Sequence, residues 1–115
     1  MEAVHFYLNE IKKNKHLNAF VNIYEEESLT RATALDESRT DGKPIGRLHG
    51  VVIGIKDVIC YKDHPVTAAS HILQNYISPY SATAVERLLQ DEAIIIGHLN
   101  CDEFAMGSTN ENSFY

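Results

Sequence analysis

Lys56 closes the run Val51, Val52, Ile53, Gly54, Ile55, in which only Gly54 is not β-branched. Such a run predicts a strand buried on both faces. Its last side chain then emerges at the C-terminal edge, where open α/β sheets place their ligand crevices. An amine held in an apolar site loses part of its preference for the charged form and accepts a proton as a general base. The competing placement is a strand-end lysine whose stem snorkels to water and whose amine pairs with an acid. Asp57 is the adjacent acid, although neighbouring strand residues point to opposite faces.

A second stretch, Leu99, Asn100, Cys101, Asp102, Glu103, Phe104, Ala105, Met106, Gly107, Ser108, follows an apolar strand predicted over 93–96 and occupies another C-terminal edge. Two such edges can share one crevice. Local patterning makes Asn100 the N-cap of a short helix with Glu103 at its third position. A ligand-facing role requires instead that Glu103, or the Met106 and Gly107 backbone, line the crevice. The histidines, His5, His16, His49, His64, His71 and His98, lack the paired spacing of a metal site, so no metal ligand is assigned. Gly42 and Lys43 fail as a phosphate-cradling loop, because Ser38 stands where the upstream glycine belongs and no strand precedes them. Cys60 and Cys101 lie far apart with no CxxC around them, fit a reducing compartment and read as buried thiols.

The elements that must position these residues follow from periodicity. Val4, Tyr7, Leu8 and Ile11 fall on one face of a helix over 2–13. Residues 17–24 alternate as a short strand. Glu25, Glu26 and Glu27 suit the positive end of a helix dipole, and Leu29, Ala32 and Leu35 give the helix over 25–39 its apolar face. Residues 40–46 break that helix ahead of the strand over 51–55. After a polar stretch over 61–65 and a weaker apolar segment ending at Leu73, Thr83 and Glu86 have the spacing of a capping box. Ala82, Val85, Leu88 and Leu89 then face inward, and the strand over 93–96 follows. Alternating helices and strands with short connections favour α/β layering over a bundle or a sandwich.

Composition bounds the rest. A chain of 115 residues, 44% of them apolar, makes one domain. Its 10 Lys and Arg against 16 Asp and Glu give a net charge of −6, which argues against direct contact with a polyanion through the chain's own field. No stretch approaches the roughly 18 apolar residues of a membrane span, and the start carries no signal-peptide core. The expected setting is the cytoplasm, without membrane contact.

Leu48, His49, Gly50, Val51, Val52, Ile53, Gly54, Ile55, Lys56, Asp57 resemble the lysine motif of the amidase signature family. Within that family, Cys101, Asp102, Glu103, Phe104, Ala105, Met106, Gly107, Ser108, Thr109, Asn110, Glu111, Asn112, Ser113 resembles the block typical of the A subunits of aspartyl/glutamyl-tRNA amidotransferases. Residues 17–21 and 82–97 are similar to the same subunits, so the likeness spans nearly the whole chain. It implies the N-terminal part of the amidase signature fold, a large mixed β-sheet covered by helices and incomplete in this chain. Residues 1–115 would form the N-terminal portion of a single amidase domain. They divide into a helical hairpin region over 1–41 and, over 48–115, the lysine strand with the helix-strand unit that follows.

The resemblance also implies a site of a nucleophilic serine, a second serine in a cis peptide, and a lysine, with Lys56 matching the lysine. Both serines lie downstream of the position matched by Tyr115, so the chain by itself is expected to be inactive. Ser70, Ser108 and Ser113 lack the family's glycine-rich setting and read as capping or turn hydroxyls. Glu103, Met106 and Gly107 are the candidates for contact with substrate. The implied activity is release of ammonia from glutamine for amidation of misacylated Glu-tRNA(Gln) or Asp-tRNA(Asn). The implied partners are the amidotransferase's B and C subunits, with misacylated tRNA reached through the complex. No cofactor is implied on this chain; ATP and magnesium would belong to a partner subunit. A stand-alone amidase of the same family, needing no partner, and a non-catalytic truncated binding module are the alternative expectations.

Overall fold

In the computed structural model, which describes residues 1–115, helix α1 (Glu2–Lys13) turns Val4 and Leu8 fully inward. Glu2 in its first turn and Lys12 and Lys13 in its last complement the helix dipole. The alternation over 17–24 yields a strand only from Phe20, because a 3-10 turn at Lys15–Leu17 ends on Asn18 in the left-handed region, φ +50°. Strand β1 is therefore Phe20–Ile23. Helix α2 (Glu25–Thr40) starts on its three glutamates as expected and buries Ser28, Ala32 and Leu35.

Strands β2 (Val52–Lys56) and β3 (Ile94–Leu99) pair in parallel, with helix α3 (Thr83–Gln90) between them in sequence. The sheet order is β1-β3-β2, and β1 runs antiparallel to β3. The architecture is thus α/β with a mixed sheet. The pleat of β3 divides the core. Ile94 and Ile96 join Val4, Leu8, Ala32 and Leu35 under α1 and α2, while Ile95 joins Ile55, Tyr61 and Val85 on the other side.

The fold corrects three of the sequence expectations. The strand carrying Lys56 is not buried on both faces: only Ile55 is buried, and Val51 is 45% exposed. β2 has a hydrogen-bonded neighbour on one edge alone, whereas β3 lies between β1 and β2 and is buried from Ile94 to His98. That central strand also runs three residues past the expected end at Ile96. Gly97 and His98 interrupt the apolar pattern without ending the pairing. The capping box is absent, since α3 is preceded by Ala82 and makes no side-chain cap; Thr83 already lies inside the helix.

No helix is long and apolar enough to cross a membrane.

Candidate functional site

Lys56 pairs with Leu99, so the last residues of the two parallel strands lie side by side, and the Asp57 N–H extends the pairing by donating to Leu99 O at 3.0 Å. Beyond these ends opens a cleft of about 240 Å³ lined by residues of three short stretches: Lys56; Asn100, Cys101 and Asp102; and Gly107, Ser108 and Asn110. Lys56 is exposed and its amine enters neither a hydrogen bond nor an ion pair with the protein. The apolar surroundings expected for the amine are not found: the cleft lining is mostly polar and Lys56 reaches solvent, as a snorkelling strand-end lysine does, but the pairing with Asp57 expected alongside that exposure does not occur. Asp57 is fully buried, and its carboxylate accepts from the backbone N–H of Thr67 and of Ala69, both at 3.1 Å, and from the Thr67 hydroxyl.

One wall of the cleft is fixed by Asp102. Its two carboxylate oxygens accept the backbone N–H groups of Asn110 and Asn112, each at 2.9 Å. Gly107 passes so close that an added Cβ would meet Asp102 Oδ2 at 2.1 Å, so the approach of this loop requires glycine. The hydrogen bonds from Asn112 and then Asn110 hold the Asp102 carboxyl below the ordinary carboxylate range. A lowered folded value means that the stabilisation is present above the ordinary value near pH ~4 and is lost as pH falls through the lowered one. Amide-exchange protection at Asn110 and Asn112 is accordingly expected to hold at pH 5 and to decay as acid protonates Asp102, once intrinsic exchange rates are corrected for. Protection that stays unchanged at every acid pH at which the chain remains folded would show that other contacts hold the loop.

Asn100 is not a helix cap. The 3-10 turn begins at Glu103 after Asp102, and Asn100 instead ties three segments together. Its Oδ1 accepts the Cys101 N–H and, at 2.6 Å, the Ser113 hydroxyl, while its Nδ2 donates to Asn18 O at 3.1 Å. Of the three substrate-side candidates, Gly107 reaches the cleft and Glu103 and Met106 do not. The Glu103 carboxylate accepts the Ser70 hydroxyl at 2.6 Å, and Met106 is 81% exposed away from the lining. Ser70 also accepts the Ile72 N–H as a cap of the His71–Leu73 turn.

Cys101 is buried as expected, whereas Cys60 is only half-buried. Burial pushes the Cys101 thiol up, the Asp57 carboxylate adds to the rise and Lys56 opposes it. A thiol raised in this way stays protonated near neutrality and is no nucleophile. No three His, Cys, Asp or Glu side chains converge as a metal centre requires.

Sequence reasoning missed a buried polar network behind the sheet. His98 Nε2 meets Ile59 O at 3.0 Å, and a carbonyl only accepts, so Nε2 carries the proton. Nδ1 then accepts from the Tyr24 hydroxyl at 2.5 Å. Burial holds His98 below its ordinary value and pushes the Tyr24 hydroxyl up. The imidazole is therefore neutral and structural. Its only sequence signal was a histidine within an apolar run.

Against known proteins, the profile described as Amidase matches residues 2–115. The chain is 45% identical over 109 residues to the A subunit of glutamyl-tRNA(Gln) amidotransferase from Chlorobium phaeobacteroides, covering 95% of this chain and 23% of that protein. It is 50% identical over 99 residues to the protein of the same name from Chloroflexus aggregans, covering 86% and 20%. The crystal structure of the corresponding glutamyl-tRNA(Gln) amidotransferase chain from Thermotoga maritima superposes with a TM-score of 0.75 at 30% identity, over 97% of this chain and 22% of that one. The chain thus spans under a quarter of the length of these relatives.

Proposed function

This chain belongs to the amidase family, and we propose that it contributes Lys56 as the general base of a glutamine-hydrolysing amidotransferase. What supports the reading is the unpaired Lys56 amine at the joined ends of two parallel strands, in a cleft whose wall is fixed by Asp102. The names carried by the relatives point to amide transfer onto glutamyl-tRNA(Gln), and the family resemblance implies glutamine as the amide that supplies the nitrogen.

In the proposed chemistry the two serines come from segments outside residues 1–115. The Lys56 amine takes a proton from the bridging serine, which takes one from the nucleophilic serine. That oxygen attacks the side-chain carbonyl of glutamine, and the tetrahedral intermediate collapses to an acyl-enzyme as the proton returns to the departing ammonia. Water then releases glutamate. The ammonia passes to a partner subunit, which would hold ATP and magnesium and supply the activation that amidation of glutamate or aspartate on misacylated tRNA requires. The reaction belongs to the cytoplasm. The acidic chain reaches tRNA through the complex rather than through its own surface.

The test is ammonia release from glutamine by the intact polypeptide with its partner subunits. Release is expected to rise when ATP and misacylated tRNA are supplied. Release indifferent to both would mark a stand-alone amidase. No release under any condition would favour a non-catalytic module.

A further inference from the structure

Asp57 is a buried titratable group that the proposed chemistry does not use. Its carboxylate has no cationic partner; it is satisfied entirely by the Thr67 and Ala69 N–H groups and the Thr67 hydroxyl. The Asp57 carbonyl takes the remaining N–H of the turn, that of Ala68, at 2.8 Å. One residue therefore accepts all three successive backbone donors from Thr67 to Ala69. Ala68 and Ala69 are both left-handed, with φ of +50° and +53°, and both are buried. Two consecutive alanines in that region persist only where their surroundings over-determine them.

The other side of the same turn faces the cleft wall. Ala68 O accepts the Phe104 N–H at 2.8 Å, and Ala69 O accepts the Phe114 N–H at 3.0 Å. The next residue, Ser70, holds Glu103. Residues 103–114, which include Gly107, Ser108 and Asn110 of the cleft, are thereby pinned at both ends to a turn that Asp57 organises. The residue that begins this chain of contacts is bonded directly to Lys56. A buried carboxylate without a cation is costly to maintain for packing alone.

Resting on the reading of Lys56 above, we propose that Asp57 is a positioning residue for that lysine, setting the distance between the Lys56 amine and the 103–114 wall through the left-handed turn at 67–69. Asp57→Asn keeps the side chain's size but puts an amide where an oxygen accepts from Ala69 and the Thr67 hydroxyl, so the turn loosens without a cavity.

The experiment measures glutamine hydrolysis by the intact complex carrying Asp57→Asn, per mole of folded protein, beside Lys56→Ala. The expected result is a kcat lowered by about 10- to 100-fold with KM within about twofold, because binding is retained while the base is misplaced. Wild-type kcat and KM in a folded Asp57→Asn complex overturn the proposal, as does a loss that vanishes once activity is counted per folded molecule. If Asp57→Asn does not fold, Thr67→Val removes only the hydroxyl donor: a fall in kcat of threefold or more supports the proposal and unchanged kinetics overturn it. If Lys56→Ala keeps its activity, the reading of the lysine itself fails, a result distinguishable from the failure of Asp57 alone.

Discussion

Lys56→Ala, made in the intact polypeptide, is expected to lower glutamine hydrolysis by at least about a hundredfold and up to about 10⁴-fold, the range lost with a positioned general base. Stability should hardly change. Lys56 is exposed and makes no ion pair or hydrogen bond with the protein, so deleting its amine leaves no buried partner unsatisfied and is worth within about 0.5 kcal/mol. The combination separates catalysis from folding: coincident melting curves with the activity gone. Lys56→Arg should be nearly as inactive, because a guanidinium does not give up its proton and cannot serve as a base. Activity retained in Lys56→Arg would show that positive charge, not proton transfer, is what the position supplies.

Gly97→Ala is the substitution expected to damage the fold most for the least added volume. A Cβ at Gly97 would stand 2.2 Å from Asn22 O and 3.1 Å from Phe20 Cδ1. The first obstacle is backbone on β1, so relief requires β1 and β3 to part rather than a side chain to rotate. The cost is about 3 kcal/mol, at the upper end of overpacking effects. Gly54→Ala provides the control on the neighbouring strand. There the nearest atoms, at 3.1–3.3 Å, all belong to the flexible Leu99 side chain, and a loss below about 1 kcal/mol is expected. Denaturation of the two variants beside the parent polypeptide checks the pair, and equal losses would show that β1 gives way as easily as Leu99 does.

Those two glycines illustrate what the sequence made legible. α1 could be placed to the residue because Val4 and Leu8 carry the helical period and the charges agree with the dipole. The adjacency of Lys56 to the segment after β3 followed from two apolar strands ending in polar stretches, since parallel strands in an α/β layer end on the same side. What escaped is everything decided by contacts between residues distant in sequence. Gly97 looked like the residue past the end of a strand, yet it lies within β3 where the backbone of β1 leaves no room for a Cβ. Asp57 looked like a candidate ion-pair partner, yet the bonds of its carboxylate all go to a turn ten to twelve residues later. Glu103 and Met106 sit in a motif-like block, but Glu103 accepts the Ser70 hydroxyl and Met106 is exposed outside the cleft that Gly107 lines, with Phe104 and Ala105 between them both left-handed. A positive φ at a non-glycine residue leaves no reliable mark in composition.

On the proposed reading Lys56 serves the release of ammonia and nothing downstream of it. Amidation of misacylated Glu-tRNA(Gln) by the complex carrying Lys56→Ala, with ATP and magnesium present, isolates that role when two nitrogen donors are compared. Ammonium chloride bypasses the amide-cleaving step, whereas glutamine does not. The variant is expected to form Gln-tRNA(Gln) from ammonium at the rate of the parent complex and almost none from glutamine. Glutamine-supported product at the parent rate would overturn the role given to Lys56, and so would an equal loss with both donors.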